Sequence, residues 1–302
     1  MSRKGWALFL AMGFIWGVPY LCIRVAVGEG GLTPASLVLA RCVLGAAILL
    51  PIVAVQGRIK GLLPYWKPLL AFTVIEIALP WLLLSSAETR LSSSLAGLLI
   101  AATPLVGAVL GWVTGRDRLG VRRLAGLGIG ILGVAALVGL DLSADDGWAL
   151  AAMAVVVVCY ALGPFILDRY LTDVSGTAVM AAALGLSAVA YAPVGIAQMP
   201  STVPGIDVIA SVVVLGVLCT AIALTMFNLL ITEVGPARAT VITYINPAVA
   251  ILLGVALLDE PFTAGIAVGF ALVLAGSVLA THRDTGKEQE EPVTVGEAVA
   301  VE

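Results

Sequence analysis

The sequence predicts an all-α integral membrane protein, with ten transmembrane helices arranged as two inverted five-helix repeats. Two observations lead to this fold class. The mean hydropathy is +1.10, and 61% of the 302 residues are hydrophobic whereas only 12% are charged, values that exclude an ordinary soluble domain. In addition, residues of the first half recur in the second half at a nearly constant spacing, which indicates an internal duplication.

Ten apolar runs are close to 20 residues long, which is enough for a helix to cross a hydrocarbon core of about 30 Å. No small-residue cleavage site follows the first run, so we expect it to be retained as a helix rather than removed as a signal peptide. The runs lie at 5–27, 34–55, 66–86, 92–114, 120–140, 147–167, 176–198, 207–231, 237–257 and 263–281.

The duplication is clearest towards the ends of the two halves, where residues recur at a shift of 143 positions. Because each half holds five spans, an odd number, the second half must enter the membrane upside down relative to the first. We therefore predict one repeat at 1–140, an inverted repeat at 141–281 and a disordered acidic cytoplasmic tail at 282–302. The matching residues are Pro104, Gly111, Gly126 and Gly133 in the first half and Pro247, Gly254, Gly269 and Gly276 in the second.

The distribution of basic residues predicts the orientation in the membrane. With the N-terminus in the cytoplasm, thirteen lysines and arginines fall on the inner side, only Arg24 and Arg90 fall near the outer side, and Arg41 lies inside a span. This bias is a strong positive-inside signal, so both termini are expected in the cytoplasm. The turn at 115–118 is basic whereas its counterpart at 258–261 has no basic residue, as expected for turns on opposite sides.

Several short motifs resemble the drug/metabolite transporter superfamily, in its ten-helix branch with two EamA-type repeats. These are Phe14-Ile15-Trp16-Gly17 in the first span, Ala40-Arg41 in the second, and a mid-span proline followed by an acidic turn in spans four and nine. The resemblance covers about 5–281, although Asp117 stands where the family usually has glutamate. It implies a bacterial inner-membrane carrier, often an exporter of amino acids, in which spans one, three, four, six, eight and nine surround a cavity. Aromatic amino acid exporters belong to this group.

The inverted repeat itself predicts alternating access, because exchanging the conformations of the two halves opens opposite sides of the membrane. We expect export of small organic metabolites, above all aromatic or neutral amino acids. An importer, a carrier of drugs or other metabolites with the same fold, and, less favoured, a channel remain as alternatives. The expected partners are a small-molecule substrate and the lipid bilayer, without nucleic acid. No span contains a histidine or a pair of aspartates, so we expect neither an enzyme nor a metal or other cofactor.

Aromatic and polar side chains deep within the spans predict a substrate cavity. Aromatic rings with a few amides and hydroxyls suit a small molecule that has an apolar body and polar ends. Four further tryptophans, near the span ends, are expected in interfacial belts: Trp6, Trp66, Trp112 and Trp148. The candidate substrate-binding residues are Trp16, Tyr20, Glu76, Thr103, Tyr160, Asn228, Tyr244 and Asn246.

Arg41 and Glu76 are charged groups deep inside spans two and three. Their backbone depths differ by only about 5 Å, so the sequence allows them to pair. Intramembrane charges are functional candidates by default, and a purely structural ion pair is the alternative. Glu76 is also the candidate proton carrier if transport is proton-coupled, because the sole histidine, His282, lies in the tail. Uncoupled export fits the sequence equally.

Prolines and glycines inside the spans predict sites of bending and of close helix packing. A proline within a helix removes one hydrogen bond and frees a carbonyl, so it can act as a hinge or as a static kink. Gly126-x-x-x-Gly130 and Gly265-x-x-x-Gly269 permit close helix contact. We favour packing within a monomer, with a dimer as the alternative. The candidate hinges are Pro19, Pro104, Pro164 and Pro247.

Overall fold

The structure, a computed structural model, describes residues 1–115, 120–141, 146–235 and 239–281. These ranges contain helices and no strand. Nine helical segments within them are long and apolar enough to cross a membrane, and a shorter apolar segment supplies span nine. In chain order the ten spans are Arg3–Ala26, Pro34–Val55, Lys60–Ala87, Ser93–Val113, Val121–Gly139, Gly147–Tyr170, Gly176–Ala197, Ile206–Val234, Val241–Leu257 and Ala264–Thr281.

Spans one, four and nine are broken near their middles or beginnings. Each break comes just before a proline, namely Pro19, Pro104 or Pro247. A proline has no N–H to donate and disfavours helical geometry in the residue before it. The pieces are Arg3–Ile15 and Val18–Ala26 in span one, Ser93–Ile100 and Thr103–Val113 in span four, and Thr240–Tyr244 and Asn246–Leu257 in span nine.

Pro164 behaves differently from its repeat partner Pro19. It lies inside the uninterrupted helix Gly147–Tyr170 of span six, whereas Pro19 follows the break of span one. The two repeats therefore have different conformations at equivalent positions.

Spans three and eight each contain a π-helical segment, Thr73–Ala78 and Val214–Ile222. At the repeat shift of 143 positions the first segment falls within the second, and Glu76 corresponds to Cys219. A π-helical turn widens the helix and is frequent at functional sites. The remaining pieces are Lys60–Tyr65, Trp66–Phe72 and Leu79–Ala87 in span three, and Ile206–Val213 and Ala223–Val234 in span eight.

The helices pack in pairs that relate the two repeats. Span two packs against span seven, and span five packs against span ten. In the centre, span one packs against span eight, span three against span six, and span four against span nine. This pattern is unchanged when each span is exchanged for its counterpart in the other half, which is the packing expected of a pseudo-two-fold arrangement.

Spans five and ten approach each other through their glycines. A methyl group on Gly126 would lie 2.8 Å from the carbonyl oxygen of Gly276, and one on Gly269 would overlap Leu137. The small residues thus allow direct backbone contact, as in other membrane helix pairs. These glycines serve packing within one chain.

The four tryptophans expected in interfacial belts are all exposed, by 52% to 62% of their surface. This exposure suits residues near the span ends that face lipid headgroups. Several sequence predictions fall outside the described residues. They concern the turn with Arg116, Asp117 and Arg118, the basic residue Arg238, and the tail 282–302 with His282.

Candidate functional site

We call the face where span one begins and span ten ends the terminus side, and the opposite face the far side. A group of aromatic and charged side chains lies between these faces, on spans one, two, three, six and eight.

Arg41 is held in the interior by spans three and eight. The residue is 9% exposed, its Nε donates a hydrogen bond to Thr220 Oγ1 at 3.1 Å, and its Cζ lies 3.6 Å from the centroid of the Trp81 ring. Thr220 Oγ1 in turn donates to the carbonyl oxygen of Leu215 at 2.7 Å, a bond within the π-helical segment of span eight. The guanidinium plane is therefore fixed by a ring on one side and a hydroxyl at its edge.

Arg41 and Glu76, which the sequence allows to pair, form no ion pair in this conformation. No acidic group among the described residues lies within 4.0 Å of the Arg41 side chain. Glu76 belongs to the π-helical segment of span three and faces span six instead. Similar depth in the membrane does not fix the direction in which a side chain points around its helix.

Glu76 lies against Gly163 of span six. Any Cβ at position 163 would overlap Oε2 of Glu76, so the missing side chain of glycine is what makes room for the carboxyl. Glu76 Oε2 is sealed from solvent and has no hydrogen-bond partner among the described residues. A buried polar atom without a partner is costly and rare in proteins, which marks this oxygen as a candidate contact for a ligand or a proton.

Two tyrosines lie near these groups. Tyr160 of span six is near both Arg41 and Glu76. Tyr20 of span one is 7% exposed and is near Tyr160 and Arg41. We call Tyr20, Arg41, Glu76, Trp81 and Tyr160 the central cluster.

Trp16 lies one turn before Tyr20, at the break of span one. Its ring packs against that of Phe227 in span eight, with centroids 4.7 Å apart and an angle of 46° between the planes. Trp16 therefore borders the central cluster on the terminus side, where it joins span one to span eight.

Thr103 and Asn246, two of the predicted substrate-binding residues, donate hydrogen bonds at helix breaks. Thr103 Oγ1 donates to the carbonyl oxygen of Ile100 at 2.7 Å, the carbonyl that Pro104 leaves without a helical donor. Asn246 occupies the equivalent position in the second repeat. With its amide oriented to satisfy both acceptors, its nitrogen donates to the carbonyl oxygens of Gly13 and Ile242, each at 3.0 Å.

Asn228 and Tyr244 are also placed apart from the central cluster. Asn228 is exposed, and its amide nitrogen donates to Thr177 Oγ1 at 2.9 Å, which joins span eight to span seven. The Tyr244 hydroxyl lies 2.7 Å from Thr281 Oγ1 at the end of span ten. Both contacts lie on the terminus side. Of the eight predicted residues, the structure thus brings Tyr20, Glu76 and Tyr160 together, with Trp16 at their border.

The far side contains an acidic contact that sequence reasoning missed. Glu260, in the turn between spans nine and ten, accepts hydrogen bonds from the backbone N–H groups of Ser93 at 2.7 Å and Ser94 at 2.9 Å, and from Ser94 Oγ at 2.5 Å. The carboxylate thus caps the start of span four, where the helix dipole favours negative charge. This cap joins the two repeats, and the recurring acidic turn was its only signal in the sequence.

Glu88 lies beside this cap, one residue beyond span three. Its side chain is fully buried, and neither carboxyl oxygen has a hydrogen-bond partner among the described residues. Burial raises the pKa of Glu88 well above its usual range, the Glu260 carboxylate raises it further, and Arg24 opposes both effects. Arg24 Nη1 donates to the backbone carbonyl oxygen of Glu88 at 2.6 Å.

The terminus side is held by contacts nearer the surface. Lys4 Nζ lies 3.4 Å from Glu233 Oε2, and the lysine side chain is 69% exposed. Ser2 Oγ donates to the same carboxylate at 2.5 Å. Exposed ion pairs contribute little to stability because solvent screens them. In this conformation buried contacts join the two repeats on the far side, and exposed contacts join them on the terminus side.

Comparison with known proteins identifies the family. The family model described as the EamA-like transporter family matches residues 3–139 and again residues 147–281. The chain belongs to the EamA-like transporter family. The resemblance to the drug/metabolite transporter superfamily that the sequence motifs indicated is thereby confirmed, and the chain is a multi-pass membrane transporter.

Three relatives cover most of this chain. A "Probable terminal-alkyne amino-acid exporter" of Streptantibioticus cattleyicolor is 28% identical over 96% of this chain and 97% of its own length. An "Uncharacterized transporter" of Archaeoglobus fulgidus is 23% identical over 93% of this chain and 99% of its own. The "Uncharacterized inner membrane transporter YedA" of Escherichia coli K12 is 26% identical over 84% and 82%.

A solved crystal structure is similar in fold to this EamA-like transporter. It superposes with a TM-score of 0.66 at 20% sequence identity, over 93% of this chain and 98% of its own. At this identity the similarity concerns the fold alone.

Proposed function

We propose that this transporter exports aromatic or neutral amino acids by alternating access. One observation carries the proposal: Arg41 and Glu76 lie in the middle of the bundle and form no ion pair with each other, and Glu76 Oε2 has no hydrogen-bond partner among the described residues. A cation and a carboxyl group without polar partners are costly in hydrocarbon, so a ligand that supplies those partners is favoured. An amino acid zwitterion supplies both missing partners, a carboxylate for Arg41 and an ammonium group for Glu76.

The geometry of Arg41 suits a carboxylate. Its Nε is occupied by Thr220, while its two terminal nitrogens have no acceptor among the described residues. A guanidinium presents its terminal N–H groups as a planar fork that matches a carboxylate. Because the face of the guanidinium lies on Trp81, the fork is oriented before the substrate arrives.

The side chain of the substrate would meet aromatic rings. Tyr20, Trp81 and Tyr160 contribute rings around the two charges, and Trp16 with Phe227 forms a further aromatic contact towards the terminus side. Aromatic side chains around a site favour apolar and aromatic substrate groups, because they bury the apolar surface of these groups and stack on their rings. The printed name of the relative from Streptantibioticus cattleyicolor, an amino-acid exporter, supports the same substrate class.

The expected orientation defines what export requires of each side. The excess of basic residues on the terminus side supports a cytoplasmic location for that side by the positive-inside rule. The name of the Escherichia coli relative supports the bacterial inner membrane. Export then requires the far side to open towards the outside, which breaks the contact of Glu260 with Ser93 and Ser94, while the exposed Lys4–Glu233 pair helps to close the cytoplasmic side.

The test compares a substrate with two analogues in proteoliposomes. Labelled phenylalanine should show saturable counterflow, whereas phenethylamine and phenylpropanoate, which each lack one charged group, should compete at least tenfold more weakly. Arg41→Lys should weaken the binding of phenylalanine and of the acid analogue phenylpropanoate. It should leave competition by the amine phenethylamine unchanged. Equal competition by all three compounds, or flux that does not saturate, would contradict the amino acid carrier and favour a drug carrier or a channel, respectively. Reversed gradients then distinguish export from import.

A further inference from the structure

The two π-helical segments place equivalent residues against equivalent helices. Cys219 of span eight donates through Sγ to the carbonyl oxygen of Ile15 in span one, at 3.4 Å. Ile15 lies four residues before Pro19, so this carbonyl has lost its helical N–H donor. The thiol thus replaces a hydrogen bond that the proline removed, and span one is broken at this point.

The first repeat has a different side chain at the equivalent position. Glu76 takes the place of Cys219, and Pro164 takes the place of Pro19. Pro164 leaves the carbonyl of Tyr160 without a helical donor, since that residue lies four positions earlier. Glu76 contacts span six at Gly163, within the same turn. Here, however, span six is unbroken.

We propose, on the basis of the function proposed above, that protonated Glu76 donates a hydrogen bond to the Tyr160 carbonyl and that the substrate's ammonium group displaces this proton. With the proton present, span six remains continuous. When the carboxylate binds an ammonium group instead, the Tyr160 carbonyl loses its donor and span six can break, as span one does at Trp16 and Gly17. The two spans would then exchange conformations between the inward-open and outward-open states.

Export of the substrate is coupled to import of a proton at Glu76. Glu76 releases its proton to the cytoplasm as the substrate's ammonium group binds, and takes up a proton from the outer side as the substrate leaves. One proton enters for each zwitterion exported, with a net inward movement of one positive charge. No other reactant is needed.

Few other ionisable groups face this carboxyl. Cys159 and Tyr160 lie on span six, and Tyr191 of span seven donates its hydroxyl to the carbonyl oxygen of Ala78 at 2.9 Å. Arg41, the cation of the central cluster, is held by Trp81 and Thr220 and forms no ion pair with this carboxyl. The exchangeable proton is therefore assigned to Glu76 itself.

The first experiment measures protons and substrate together. Full-length protein is reconstituted in vesicles that contain labelled phenylalanine and a pH-sensitive dye, with the membrane potential clamped. Efflux through the wild type should acidify the lumen by about one proton per substrate, whereas Glu76→Gln, whose amide is a permanent donor for the Tyr160 carbonyl, should show neither efflux nor acidification. Efflux by the wild type without lumen acidification would overturn the proposal.

The second experiment needs no substrate, so it separates this proposal from the proposed function. Ala161→Cys places a thiol at the predicted break of span six, in a protein whose Cys219 is serine and whose other native cysteines are alanine. Labelling by a soluble maleimide should rise between pH 6 and pH 9 at least fivefold more with Glu76 than with Glu76→Gln. Labelling also rises with pH because the introduced thiol ionises, and the glutamine variant measures that part of the rise. Equal pH dependence in both proteins would overturn the proton switch, even if phenylalanine is transported.

Discussion

The guanidinium carbon of Arg41 lies 3.6 Å from the centroid of the Trp81 ring, on the neighbouring span. The ring replaces the carboxylate that usually accompanies a buried arginine in proteins. A cation over an aromatic face gains about 2 kcal/mol when both are shielded from water. This contact keeps the positive charge oriented without neutralising it, which is what a binding site for an anionic group requires.

Removing the Trp81 ring should therefore weaken substrate binding. We expect Trp81→Ala to raise the half-saturating phenylalanine concentration about thirtyfold, equivalent to the roughly 2 kcal/mol of the stacking contact. Trp81→Phe keeps an aromatic face and should recover most of this loss. Counterflow kinetics provide the measurement. Trp112→Ala, at an exposed tryptophan, is the control, and an equal loss in both alanine variants would rule out a specific role for Trp81.

The cap that Glu260 places on span four should contribute measurably to stability. Its carboxylate accepts three hydrogen bonds from Ser93 and Ser94, and bonds to a charged group contribute about 1.5–3 kcal/mol each when intact. We expect Glu260→Gln to lower the free energy of unfolding in detergent by about 2 kcal/mol, because the charge at the helix N-terminus is lost. Asp259→Asn changes an adjacent, exposed carboxylate and should have little effect. Similar losses in both variants would contradict the capping role.

Glu88 should make stability depend on pH. The pKa of Glu88 in the folded protein is raised by burial and by Glu260. Its contribution to the free energy of unfolding is therefore fully present below the unfolded pKa of about 4.3, and it is lost as pH rises through the folded pKa. We expect the free energy of unfolding in detergent to fall from pH 5 to pH 9, by up to about 1.4 kcal/mol per pH unit from this group.

Two variants test whether Glu88 causes this pH dependence of stability. Glu88→Gln removes the titrating group and should flatten the profile. Glu29→Gln removes an exposed carboxylate on the same side and should leave the slope as in the wild type. If the profile of Glu88→Gln still falls as steeply as that of the wild type, the buried carboxyl is not the source of the pH dependence.

Two neighbouring glycines of span five should respond oppositely to the same substitution. A methyl group on Gly126 would lie 2.5 Å from the backbone nitrogen of Ala280, whereas one on Gly128 would meet no atom within 4 Å. We expect Gly126→Ala to destabilise the protein by about 1–3 kcal/mol through overpacking. Gly128→Ala should be neutral or stabilising by up to about 1 kcal/mol, since alanine favours the helix. Thermal unfolding in detergent tests both, and equal effects would contradict the close approach of spans five and ten.

The central cluster could be predicted only in part. Arg41 and Glu76 are conspicuous in the sequence because charges are rare inside apolar spans, and Tyr20 and Tyr160 lie at matching depths. Trp81 gave no comparable signal, since tryptophan is common near span ends. Thr103 was predicted in the cavity because hydroxyls suit a substrate with polar ends. In the structure its hydroxyl donates to the Ile100 carbonyl, which the next proline frees, and the sequence pattern does not reveal this local partner.

The sequence by itself determined the spans, their duplication and the membership of a membrane transporter family. These properties depend on apolar length and on residue spacing, which add up along the chain irrespective of how the helices are rotated. Only the tertiary structure decided that Arg41 lies on Trp81 and that Glu76 faces Gly163. Side-chain contacts depend on the rotation of each helix, and one additional residue in a π-helical turn rotates all that follow by about 100°.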